Sequence, residues 1–94
     1  MTMDRKVRAD VIARDKCACQ LCGRIAVDCH HILFKSLGGA ETQENMICLC
    51  RKHHEEAHAN GKEMFEVLLE LQQRHYPGLT KKDLKWGKIG RAHV

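Results

Sequence analysis

All six cysteines and five of the seven histidines of this 94-residue chain fall between Cys17 and His58. That concentration limits the fold more than any hydropathy pattern does. Two ligand pairs stand out within it, Cys19-x2-Cys22 and Cys50-x2-His53. Three thiolates and one imidazole complete a four-coordinate set, and a closed set is what a structural zinc site requires. Small buried cysteines with no ligand are the plainer reading, but it leaves the paired spacing without a reason. Cys17 is an alternative to Cys19, although the two-residue gap to Cys22 gives Cys19 the better knuckle; Cys17, Cys29 and Cys48 are otherwise read as surplus to the site.

Composition makes a staple necessary. At 10.8 kDa the chain is expected to form one domain over residues 1–94 that buries only a modest share of its surface. Its 44% hydrophobic content includes the six Cys and only two Phe, one Tyr and one Trp. Residues 1–16 are charged throughout and unlike a secretory signal, and no apolar run approaches the ~18 residues of a membrane span. The expected compartment is therefore cytoplasmic and reducing, with no membrane partner, where clustered Cys and His favour metal over disulfides.

The pattern along the chain predicts an α+β domain. Residues 4–16 suit a surface-facing helix capped by Asp4, with Val7, Val11 and Ile12 on one side. A knuckle follows at Cys19–Gly23. Ile25 to Leu33 suits a strand, residues 34–45 a polar loop, and Met46–Leu49 a strand returning antiparallel to the first. One helix is expected from about Cys50 to a stop at Asn60-Gly61, and a second, amphipathic one from Lys62 to His75, with Met64, Phe65, Leu68, Leu69 and Leu71 packing over the hairpin. Thr80 and Asp83 suit a capping box opening a last short helix that carries Leu84 and Trp86. The charge of +4 resides in the tail, residues 80–94, where Lys81, Lys82, Lys85, Lys88 and Arg91 face only Asp83. Such a tail leans toward a polyanionic partner such as nucleic acid.

A second constellation comprises Asp28-Cys29-His30-His31, Asn45, His54 and His58. His54 and His58, four apart, share one helix face, while His53 lies about 100° around and turns toward the zinc knuckle. With His30 added, three neutral imidazoles can hold an ion and leave positions open, as catalytic sites do. Ideal strand geometry would send His30 and His31 to opposite faces, so both are expected at a frayed strand end. His31 is then free to act as a general base, with Asn45 fixing its direction through the backbone or ring.

In order, Cys19-x2-Cys22-Gly23, Asp28-x-His30-His31-Ile32, Gly39, Asn45-Met46-Ile47 and Cys50-x2-His53-His54-x3-His58 resemble the HNH endonuclease family with its zinc-stapled ββα-metal fold. The resemblance spans about residues 17–58, within an expected motif core at about residues 17–60. It implies that His31 is the general base, that Asn45 orients it, and that His30, His54 and His58 hold the catalytic ion. It also assigns Cys19, Cys22, Cys50 and His53 to structural zinc, and Asp28 to orienting an imidazole. His53 stands where Cys is commoner, Cys29 where an aliphatic residue is usual, and Leu33-Phe34 where members often have Pro.

The implied reaction is metal-dependent nicking of DNA that leaves 5′-phosphate and 3′-hydroxyl ends. Mg2+ or Mn2+, or Ni2+, Co2+ or Zn2+, would serve as the second cation beside the structural Zn2+. Lys81, Lys82, Lys85, Lys88 and Arg91 would contact the DNA backbone. A homodimer, a larger nuclease or phage packaging or restriction complex, and a phage- or mobile-element origin are all compatible with this reading. The rival is a non-catalytic zinc module that binds nucleic acid or protein.

Overall fold

The computed structural model describes residues 5–86. The expected cap Asp4 and the tail residues Lys88 and Arg91 lie outside them. Helix α1 (Arg5–Arg14) is highly charged, with Lys6 and Asp10 paired one turn apart at 3.4 Å. It is not wholly a surface element, because Val11 is completely buried and Val7 and Ile12 pack beside it. The helix ends where Lys16 and Cys17 take left-handed φ values of 58° and 55°. The chain then enters the knuckle, whose turn closes through the Gly23 N–H donating to the Cys19 carbonyl at 2.8 Å. Gly23 has φ 81°, a conformation that costs glycine nothing.

Strands β1 (Asp28–His31) and β2 (Met46–Leu49) form a two-stranded antiparallel sheet, pairing Asp28 with Leu49, Cys29 with Cys48, His30 with Ile47 and His31 with Met46. All four residues of β2 are buried, because both faces of the sheet are covered. Ile47 and Leu49 meet Ile32, Leu33, Leu68, Leu79 and Leu84 on one face, and Met46 and Cys48 meet Cys29 and Val11 under α1 on the other.

β1 is shorter than the β-branched run 25–33 predicts. Ile25 is 90% exposed and makes only an isolated bridge to Ala18, since β2 offers four residues and no more. His30 and His31 accordingly lie inside the paired ladder and not at a frayed end.

Residues 35–37 and 43–45 of the connecting loop form 3-10 turns. Helix α2 (Arg51–Ala59) starts after Cys50, whose carbonyl accepts the His54 N–H at 2.8 Å. Helix α3 (Gly61–Gln72) follows almost at once. α2 thus stops at Asn60 as expected, and Gly61, with the Phe34 ring lying against it, opens α3 one residue before the expected Lys62. α3 ends three residues before the expected His75. Leu68 is its buried anchor, and Met64, Phe65, Leu69 and Leu71 are partly buried against the same core.

The capping box at Thr80 and Asp83 is present, the Thr80 N–H donating to the Asp83 carboxylate at 2.9 Å. It opens only a 3-10 turn, Lys81–Leu84, that excludes Trp86. Trp86 is 57% exposed, whereas Leu84 is fully buried.

A buried polar node ties α1 and α3 to the entry of β2. Arg14 donates to the Gln43 and Met46 carbonyls, each at 2.7 Å, and to both oxygens of Asp15. Gln72 Nε2 donates to the Gln43, Glu44 and Met46 carbonyls. Asp15 also accepts the Cys48 N–H at 2.9 Å. Removing one member of such a pair strands the other without its charge partner. Asp15→Ala is expected to lower stability by about 3 kcal/mol, measured by urea denaturation of zinc-loaded protein.

Candidate metal centres

Two groups of ligand atoms converge among the described residues, and both involve α2. In the first, Cys19, Cys22, Cys50 and His53 bring three sulfurs and one nitrogen within 4.8 Å of one another. Cys22 Sγ lies 3.8 Å from Cys50 Sγ, and His53 Nδ1 lies 3.5 Å from Cys19 Sγ and 3.3 Å from Cys50 Sγ. A tetrahedral zinc with ordinary bond lengths would space sulfurs by about 3.8 Å and sulfur from nitrogen by about 3.6 Å. The fit is close, so this Cys3His cluster can hold a structural zinc ion.

The local backbone favours thiolates at Cys19 and Cys50. Burial pushes Cys19 up, but N–H groups of Cys50, Leu21 and Cys22 outweigh it and bring the thiol below its usual range. The His53 N–H lowers Cys50 in the same way. Cys17 is exposed and outside the cluster.

The second group is His30, His54 and His58, whose ligand atoms also lie within 4.8 Å of one another. Their ring centroids are 5.0 to 5.2 Å apart. β1 supplies the first ring and successive turns of α2 supply the other two. Burial, with His54, His58 and His31 alongside, pushes His30 down to about 3, so its ring is neutral and able to act as a ligand. His30 Nδ1 is buried with no hydrogen-bond partner.

Asp28 Oδ2 lies 3.3 Å from His54 Nδ1, which leaves Nε2 of that ring for an ion. A three-imidazole set that includes an unpartnered buried nitrogen suits a divalent cation of borderline hardness.

His31 lines the same cleft of about 310 Å3, together with His30, Phe34, Lys35, His54 and His58. Burial lowers its basicity, partly opposed by Glu41. Its Nε2 is buried without a partner, which leaves Nδ1 to meet water. Asn45 does not bond the His31 ring. Its amide instead accepts the Leu33 N–H at 2.8 Å and donates to the Leu33 and Ala40 carbonyls at 3.1 and 2.8 Å. This fully buried side chain therefore sets the backbone that leaves β1. Gly39 lies so near that a Cβ there would overlap the Leu33 carbonyl.

Spacing alone did not reveal two further contributors. Phe34 stacks on His58 at 5.1 Å and meets the edge of His30 at 5.8 Å. Arg51 reaches Asp28 at 3.5 Å from an exposed position. An aromatic just after the double His was the one available signal for Phe34.

Lys81, Lys82 and Lys85 are exposed. Their segment adjoins the cleft loop, with Lys85 bridged to Gly39 and the Trp86 N–H on the Gly38 carbonyl at 2.9 Å. Lys81 also lies over the Phe65 ring at 5.6 Å. No helix among the described residues is long and apolar enough to cross a membrane.

No model of a known protein family matches the chain. Over 77 residues it is 34% identical to the type IV methyl-directed restriction enzyme EcoKMcrA of Escherichia coli (strain K12). That alignment covers 69% of this chain and 28% of the enzyme, so the chain spans under a third of its relative's length.

The two centres are expected to separate under mutation. Cys22→Ala should abolish the folded circular-dichroism spectrum even with zinc present. Asp28→Asn should retain zinc while weakening Mn2+ binding by roughly 10- to 100-fold in calorimetric titration.

Proposed function

We propose that residues 1–94 form an HNH-type nuclease domain that hydrolyses DNA phosphodiester bonds with the help of a divalent cation. The observation that carries this reading is the convergence of His30, His54 and His58 beside a fourth imidazole, His31, in one cleft. The likeness to a restriction enzyme supports it, as does the order of residues shared with HNH proteins.

In this reading His30, His54 and His58 hold the cation, and Asp28 keeps His54 turned toward it. A cation bound there would supply positive charge to the phosphate and to the departing 3′ oxygen. His31 accepts a proton from water at Nδ1 as the water attacks phosphorus in line, leaving 5′-phosphate and 3′-hydroxyl ends. Asn45 acts on His31 through the backbone: it pins Leu33 and Ala40, and its own carbonyl accepts the Ile32 N–H at 2.8 Å. Lys81, Lys82 and Lys85, with Lys88 and Arg91 of the tail, meet DNA phosphates. That gives salt-dependent affinity with little base readout.

One such site cuts one strand, so the domain nicks. Mg2+ and Mn2+ match phosphate best, while three imidazoles also admit Ni2+, Co2+ or Zn2+. A second reading makes this chain the cutting part of a dimer or larger restriction or packaging assembly. Its support is the small share of the relative that the chain spans.

Supercoiled plasmid incubated with the protein and Mn2+ should relax to the open circle, and a chelator should stop it. His31→Ala should slow nicking by about 10²- to 10⁴-fold with zinc and fold intact. Equal rates for variant and parent would remove His31 from its role.

A further inference from the structure

Cys29 and Cys48 belong to neither metal cluster, yet they face each other across the sheet. The Cys48 N–H donates to Asp15 at 2.9 Å, and its carbonyl accepts the Gln20 N–H at 3.1 Å. Both backbone groups of Cys48 thus point away from β1, so Cys29 and Cys48 form a non-hydrogen-bonded antiparallel pair. The Cα atoms of such a pair are about 4.5 Å apart and its side chains approach closely. That spacing lies within the ~4.4 to 6.8 Å a disulfide spans. Both thiols are free, and the Cys29 sulfur lies 4.0 Å from the Arg8 carbonyl of α1. Cys48 is completely buried, whereas Cys29 is 7% exposed and borders the cleft that holds His30 and His31.

We infer that Cys29 and Cys48 are an oxidative modification site that closes a cross-strand disulfide when it meets a low-molecular-weight disulfide such as oxidised glutathione. The Cys29 sulfur attacks one sulfur of glutathione disulfide; that S–S bond breaks, and one glutathione leaves with the Cys29 proton. Cys48 sulfur then attacks Cys29 sulfur in the mixed disulfide, and the second glutathione leaves with the Cys48 proton. Two protein thiols are oxidised, and one glutathione disulfide is reduced to two thiols. The second step is intramolecular, because the ladder already holds the partners together. Val11 and its neighbours on α1 cover the pair, so access on that side needs local opening of α1, which also releases the Arg14 bonds to Gln43 and Met46. The inference does not rest on nuclease activity.

The test exposes zinc-loaded protein to glutathione disulfide and digests it with trypsin after blocking free thiols. The expected product joins peptide 25–35 to peptide 36–51, and fragmentation assigns the bond to Cys48 and not Cys50. Zinc stays bound, the melting temperature rises by on the order of 10 °C, and a reductant reverses both changes. Cys29→Ser removes the linked peptide. The parent's peptide map stands alone should that variant fold poorly. A lasting glutathione adduct on Cys29, a bond to Cys22 or Cys50 with zinc release, or unreacted Cys29 and Cys48 after hours of exposure would each overturn the inference.

Discussion

The first turn of α2 must satisfy two clusters at once, and the rest of the structure is arranged around that demand. His53 and His54 are chain neighbours about 100° apart on the helix. One ring meets the sulfurs of Cys19 and Cys50, and the other meets His30 and the carboxylate of Asp28. A small rotation of α2 would spoil both clusters. The cysteine knuckle fixes that rotation: Cys50, the residue before the helix, lies 3.8 Å from Cys22 through sulfur. A site able to hold structural zinc thus positions the imidazoles of its neighbour.

Burial gives the second cluster its character. His30, 2% exposed and beside His54 and His58, is driven toward neutrality by burial and by those neighbours. Asp28 sits on the outer side of His54, where a carboxylate raises the ring's power as a ligand without occupying the ion's place. Phe34 covers His58 and borders Gly61, so the aromatic that shields the cluster also packs against the start of α3. The Arg14 and Asp15 node acts at the other face of the sheet, holding the entry of β2 against α1.

The residues with restricted chemistry were the legible part of the sequence. Cys-x2-Cys, Cys-x2-His and the i, i+4 histidines each have few geometric solutions, and those solutions recur in the structure. Asp28 was placed beside an imidazole only by the family resemblance, and the structure identifies that ring as His54. Backbone detail was harder to read. Ile25 and Val27 look like strand residues, but a four-residue partner strand cannot pair with them, so their β propensity goes unused. The stop at Asn60-Gly61 was legible, but the amphipathic stripe ran on to His75 while α3 ends at Gln72. Asn45 was foreseen near His31, but its three bonds to Leu33 and Ala40 depend on a loop path that no local pattern encodes. Arg14 and Gln72 were missed because a half-buried arginine and a buried glutamine beneath carbonyls resemble ordinary helix-surface residues until the fold brings them together.

The central claim is that α2 carries two cation sites of different chemistry. Titration of the metal-free protein with cobalt(II) tests it most directly. The account predicts a sulfur-to-cobalt absorption band that saturates at one equivalent. A second equivalent should then bind without adding to that band, and it should be lost in His58→Ala. A thiolate band that grows through both equivalents, or saturation after a single ion, would contradict it.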